Sequence, residues 1–264
     1  MPALESAWSP LEPAALAEAA GPRWTVRLLA EVGSTNAAAA QEPEPGSIVV
    51  ADHQSAGRGR LDRAWETPPG SALTFSAVVD PGLPDELWPL LPLATALGVA
   101  DGVRRAAGVD ALLKWPNDLL LSNDLADGKF AGILLERVSH PAEPDRPRAV
   151  IGIGINVGMT CDQLPVRTAT SLAVAGARVD RTTVFGHVVR ALDTALQGLA
   201  ADPQQVLATY RAACTTLGRE VEVHLPGGEV FRGRAEDVDP HGRLLVDGRA
   251  VGAGDVVHVR PGVT

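Results

Sequence analysis

The chain has 264 residues, 45% hydrophobic and 21% charged, which is enough to bury one large core, or one core plus a small second domain. Its net charge of -9 and pI near 5.1 argue against broad binding to nucleic acid or to an anionic membrane, because such binding is driven by Lys and Arg displacing counterions from clustered phosphates. Cys161 and Cys214 lack CxxC spacing, the opening residues lack a basic region followed by an apolar run, and no stretch reaches the ~18 apolar residues of a membrane span, so a cytoplasmic chain without structural zinc is expected.

In chain order, WTVRLLAEV (24–32) reads as a strand and STNAAAAQ (34–41) as a helix with Ser34 or Thr35 as its N-cap. GSIVVAD (46–52) and SALTFSAVVD (71–80) follow as strands, and LPLATALGVADGVRRAAG (91–108) as a helix. LLKWP (112–116), FAGILLERV (130–138) and AVIGIGINV (149–157) are again strand-like. Two helices close this zone: TTVFGHVVRALDTALQGLA (182–200), then PQQVLATYRAACTTLG (203–218), which opens on Pro203 and ends on Gly218. EPEPG (42–46) and SHPAEPDRPR (139–148) read as surface connections. Residues 1–217 therefore predict an α+β domain, a mixed central sheet with packed helices. From 218 to 264 the texture changes to short strands separated by turn signals such as PGG and DPHG. This predicts a small SH3-like β-barrel, the alternative being a β-rich extension of the main sheet.

Two features of the polar residues stand out. Of 23 Lys plus Arg, only Lys114 and Lys129 are lysine. A compact ammonium with three rotatable donors can follow an oxygen whose geometry changes during reaction, which a planar guanidinium cannot do as well. The second feature is GRGRLDRAW (57–65), between two strands. It is neither a Walker loop nor a GxGxxG opening a helix. Its charge comes from Arg58, Arg60 and Arg63, while Gly57 and Gly59 let the backbone approach a ligand, and Trp65 offers a flat face for a purine. Flanking strands make a disordered nucleic-acid-binding tail a poor description of it. In KWPND (114–118), Asp118 could bind Mg²⁺ or accept a proton, and Asn117 could face a phosphate or an adenine. In GIGIN (152–156), small residues inside a strand let a ligand lie against the sheet.

Together STN (34–36), QSAGRGRLDRAW (54–65), KWPND, GKFAGIL (128–134) and GIGIN resemble the catalytic and C-terminal domains of the biotin protein ligases, in the family's order and over nearly the whole chain. The resemblance implies a class II synthetase-like sheet followed by an SH3-like barrel. It also implies two reaction steps: biotin and ATP give biotinyl-5'-adenylate and pyrophosphate, and a lysine of a biotin carboxyl carrier domain then takes the biotin, releasing AMP. Carried over by position, Ser34, Thr35, Asn36 and Gln54 belong to the biotin site, with Gly57, Arg58, Gly59, Arg60, Lys129, Gly132, Gly152 and Gly154. Arg60, Arg63, Trp65, Lys114, Asn117 and Asn156 belong to the ATP site, with Trp65 stacked on adenine. Lys129, Arg58 and Asp118 are the catalytic expectations, and Asp118 is also the expected Mg²⁺ ligand. Some members carry an N-terminal helix-turn-helix; only some 23 residues precede the first strand here, so no operator binding is expected. A lipoate protein ligase and a non-catalytic ligand-binding module are the alternatives.

Overall fold

The computed structural model describes residues 9–61, 63–122, 127–252 and 254–259. Seven strands form one sheet: β1 (Thr25–Val32), β2 (Ser47–Gln54), β3 (Ala72–Val79), β4 (Leu112–Lys114), β5 (Asp118–Leu121), β6 (Gly128–His140) and β7 (Glu143–Asn156), in the order β1-β2-β3-β7-β6-β5-β4. Only β1 and β2 run parallel, so the sheet is mixed, as the alternation of strands and helices implies.

Side-chain alternation gives this sheet two different faces. Leu73, Phe75, Ala77, Ile151, Ile153 and Ile155 point to one side and join the main core. Four helices cover that side: α1 (Pro13–Ala20), α3 (Leu91–Ala107), α4 (Arg181–Ala201) and α5 (Pro203–Ala213). Among the described residues, the other face keeps only one helix, α2 (Thr35–Gln41), whose Ala38 and Ala39 pack on Val49, Val78 and Val150. Beyond α2 this face carries polar residues and glycines, and it is where a ligand can reach the sheet.

Most helix ends follow their sequence signals, but α5 stops at Ala213, short of the expected end at Gly218, and α1 was not expected. Ser34 caps α2, the Asp180 carboxylate accepts from Thr183 N at 2.9 Å to start α4, and Asp202 accepts from Gln205 N at 3.0 Å ahead of Pro203 in α5. Gly108 ends α3 in the left-handed region at φ 69°. Gly98 and Gly102 bring α3 directly against α4: an added Cβ on Gly102 would lie 2.5 Å from the Val188 Cα.

Two strand expectations are corrected. The segment 139–148 is not a surface connection: β6 and β7 continue through it to a turn at Pro141 and Ala142, with His140 opposite Glu143 and Val138 opposite Arg148. Pro144 and Pro147 fit there because β7 has outrun β3, whose ladder ends at Val79 opposite Ala149. The strand expected at 112–116 stops at Lys114, and the chain turns at once into β5.

After Gly218, five short strands form a separate antiparallel sheet in the order β11-β10-β9-β8-β12. They are β8 (Glu220–His224), β9 (Val230–Val238), β10 (Leu244–Val246), β11 (Arg249–Val251) and β12 (Asp255–His258). This is the SH3-like module and not an extension of the main sheet. Its anchor is KWPND: Trp115 Nε1 donates to the Gly242 carbonyl at 3.0 Å, and Trp115 N donates to Thr216 Oγ1 at 3.1 Å.

Candidate active site

One row of residues crosses five strands on the open face. Thr74 lies opposite Gly154, Gly154 opposite Gly132, Gly132 opposite Asp118, and Asp118 opposite Lys114. The two central residues have no side chain, so the row forms a shallow floor with a hydroxyl at one end and charged groups at the other. Lys129 joins it through a register shift: Leu119 pairs with Ala131 and Leu120 with Lys129, a β-bulge that leaves one extra residue on β6. Without it Lys129 would point, like Ala131 and Ile133, into the core. With it, Lys129 Nζ lies 2.5 Å from Asp118 Oδ1, while Lys114 Nζ lies 3.7 Å from Asp118 Oδ2. Both lysines of the chain thus meet at one carboxylate.

The segment 57–65 is a small hairpin over this floor. Trp65 N donates to Gly57 O at 2.9 Å, Gly59 N donates to Arg63 O at 2.6 Å, and Arg58 pairs with Ala64. The Gly57 backbone runs against the Trp65 carbonyl, leaving no room for a side chain. The Trp65 indole lies on the glycine floor, its ring atoms 2.6 Å and more from where a Gly154 Cβ would stand, and Lys129 Nζ sits 5.6 Å from the ring centroid. Arg60 Nη1 donates to Asn117 Oδ1 at 3.3 Å, and Asn117 Nδ2 in turn donates to Ile133 O at 2.7 Å. Burial draws the Arg60 pKa down, against the pull of Asp118 and Asp255.

The far wall comes from the start of α2 and the end of β2. Thr35 N donates to Gln54 Oε1 at 2.7 Å, and Ser76 Oγ donates to Asn36 Oδ1 at 2.6 Å. Asn36 Nδ2 donates to Leu134 O at 3.1 Å and to Glu136 Oε2 at 2.6 Å. Its amide is therefore fully occupied within the protein. The Asn36 side chain fills the space above Gly152, whose absent Cβ it requires.

Ser34, Thr35, Asn36, Gln54, Arg58, Gly59, Arg60, Trp65, Asn117, Lys129, Gly132, Gly152 and Gly154, all expected from sequence, line one cleft. Others stand apart from it. Asn156 is spent on the backbone, donating from Nδ2 to Thr170 O at 2.9 Å. Arg63 reaches the second sheet, 2.5 Å from Asp255. Gly57 lies behind Gln54 and Trp65, and Asp118 meets the cleft through Lys129. Sequence reasoning missed Thr74, Ser76 and Glu136. Each sits in a run otherwise read as an ordinary strand, and the only signal was a polar residue alternating with core-facing ones.

The expected Mg²⁺ site at Asp118 does not fit these residues. Both carboxylate oxygens face ammonium groups, and no cluster of three or more His, Cys, Asp or Glu occurs among the described residues.

A hydroxyl and amide wall at one end, two lysines meeting at one carboxylate at the other and a glycine floor between them define the class: a ligand-binding cleft laid on a sheet and closed by a basic hairpin. The Biotin/lipoate A/B protein ligase family matches residues 30–156, and the Biotin protein ligase C terminal domain matches residues 216–259. A curated Mycobacterium tuberculosis protein named biotin--[acetyl-CoA-carboxylase] ligase is 38% identical over 91% of this chain and 92% of its own length. A "Bifunctional ligase/repressor BirA" from Bacillus spizizenii is 36% identical over 76% of this chain, but the match spans 62% of that protein. Among solved structures, the biotin protein ligase from Aquifex aeolicus in complex with biotin and ATP is 26% identical with a TM-score of 0.74, covering 89% of this chain and 99% of that one. This chain belongs to the biotin protein ligase family, and it is a ligase.

Proposed function

We propose that the protein activates biotin with ATP as biotinyl-5'-adenylate and then transfers biotin to a lysine of a biotin carboxyl carrier domain. The observation that carries this reading is the meeting of Lys129 and Lys114 at Asp118, with Arg60 beside them, at one end of a cleft whose other end offers Ser34, Thr35 and Gln54. The near-full-length match to a biotin ligase favours biotin over lipoate, and it favours turnover over mere binding.

In this reading Ser34, Thr35 and Gln54 hold the ureido end of biotin, with Asn36 fixing the wall behind them. Gly132, Gly152 and Gly154 keep the floor low. A carboxylate and an α-phosphate repel each other, so attack requires cations aimed where charge accumulates, an arrangement worth several kcal/mol in such sites. Lys129 supplies a compact cation between the two, and Arg58 and Arg60 cover them. Asp118 orders Lys129 and Lys114. Gly57 and Gly59 let the hairpin approach the bound acyl phosphate. Lys114 and Asn117 serve the nucleotide side, and Trp65 covers the adenylate. We divide the chain into a catalytic domain (1–217) and an SH3-like domain (218–264), a division supported by the positive φ of Gly218 and the separate second sheet.

Biotin-dependent exchange of labelled pyrophosphate into ATP tests the reading, with lipoate as the parallel arm. Exchange with biotin alone is expected. Exchange with lipoate alone would reassign the substrate, and no exchange with either acid would remove the adenylation chemistry.

A further inference from the structure

The cleft continues into a neighbouring groove of about 590 Å³, with Arg58, Arg60 and Asn117 shared between the two. Pro92, Leu93, Trp115 and Pro116 give that groove an apolar wall, and Glu136 is the one carboxylate among the described residues lining it. Glu136 stands on β6 two residues beyond Leu134, where cleft passes into groove. Asn36 holds it from the buried side at 2.6 Å, and Arg58 Nη2 lies 3.1 Å from its Oε1 on the exposed side. The Asn36 bond is fixed by a fully engaged amide. Arg58 belongs to the hairpin and its side chain is half exposed, so Arg58 is the partner that can leave.

Resting on the ligase reading above, the second substrate is a protein lysine. It arrives as an ammonium on an aliphatic stem and must lose a proton before it can attack. The geometry points to Glu136 as the carboxylate that receives this ammonium, with the groove as its route of access. When Arg58 turns from Glu136 to the acyl phosphate, Glu136 loses its counter-charge at the junction where adenylate and acceptor meet. The methylenes of the incoming lysine lie along the Pro92 and Trp115 wall, as long amphipathic side chains do on apolar surfaces. The ammonium gives one proton to Glu136, and the neutral amine attacks the acyl carbon. A C–N bond forms, the C–O bond of the anhydride breaks, AMP departs, and the second amine proton goes to water. Arg58 thereby links the two steps: the same movement that secures the adenylate frees the group that takes the acceptor.

The test uses the full-length protein and two nucleophiles. Biotinyl-5'-AMP is formed on the enzyme, and single-turnover transfer is followed to a purified biotin carboxyl carrier domain and, separately, to hydroxylamine, which is uncharged at neutral pH and needs no carboxylate. In Glu136→Gln the amide still accepts from Asn36, and the ratio of the carrier rate to the hydroxylamine rate should fall by about tenfold or more. Glu136→Asp, which keeps the charge at shorter reach, should recover part of that ratio. An unchanged ratio in Glu136→Gln, or an equal loss with both nucleophiles, overturns the assignment. Failure of the wild-type enzyme to form the adenylate would instead sink the ligase reading on which it rests.

Discussion

Lys129 faces the cleft because β6 carries one residue more than β5 can pair. That bulge was invisible in GKFAGIL, where strict alternation would bury the side chain, yet Lys129 could still be singled out because only one other lysine occurs in the chain. Glu136 was not legible: a carboxylate on a strand is most often a solvated side chain, and only tertiary pairing with Asn36 and Arg58 gives it meaning. The glycines were legible as glycines but not in their separate uses, since Gly152 makes room for Asn36 and Gly154 for Trp65. A prediction belongs here. Lys129→Arg keeps the charge but replaces a compact donor with a planar fork too large for the space between Asp118, Gly132 and Trp65. Biotin-dependent pyrophosphate exchange should fall by more than about tenfold, with the thermal midpoint unchanged. An unaltered exchange rate would remove Lys129 from the chemistry.

Among elements, the starts of α2 to α5 were read more accurately than strand ends, although α1 went unread and α5 ends at Ala213 instead of Gly218. Caps and terminators act locally, so Ser34, Asp180, Asp202, Pro203 and Gly108 mark their helices without knowledge of the rest of the fold. Strand length depends on what lies alongside. Pro144 and Pro147 look like loop residues until β7 is seen to have no neighbour at those positions on the β3 side. The contact between α3 and α4 is equally hidden in sequence, where Gly102 reads as a weak point in a helix. Gly102→Ala would gain about 1 kcal/mol of helix propensity but force a methyl to within 2.5 Å of the Val188 backbone. Overpacking of that kind costs about 1–3 kcal/mol, and two rigid helices have little room to part. A lower urea midpoint with an unchanged m-value is expected; a gain in stability would show that the helices yield without strain.

At the scale of the whole molecule, the second sheet is attached to the site by more than covalent linkage. His258 on β12 sits 3.1 Å from Thr216 Oγ1, the hydroxyl that also receives Trp115 N, and Arg219 lies 3.5 Å from Asp127, just ahead of Lys129. Burial first, then the Lys114 and Arg219 cations, push the His258 pKa down from 6.5 to about 4, with Asp127 and Asp118 pulling the other way. The folded protein therefore keeps this ring neutral at pH values where the unfolded chain protonates it. Its contribution is in place above about pH 6.5 and is lost as pH falls toward 4. Urea midpoints measured across this window should decline less steeply for His258→Asn than for the wild type, and parallel profiles would contradict the assignment. The existence of a separate β module was legible from turn spacing after Gly218, but its grip on KWPND was not, because those contacts join residues about a hundred positions apart. The placement of the two lysines also bears on the enzyme's own survival. A mixed anhydride that escapes will acylate whatever amines it meets, and an ordinary surface studded with lysine is full of targets. Here both ε-amines of the chain lie at the site and are ion-paired to Asp118, and every other side-chain cation of fixed charge is a guanidinium. The protein is thus a poor acceptor for its own reagent, and an amine-reactive probe applied to it would report on the active site almost alone.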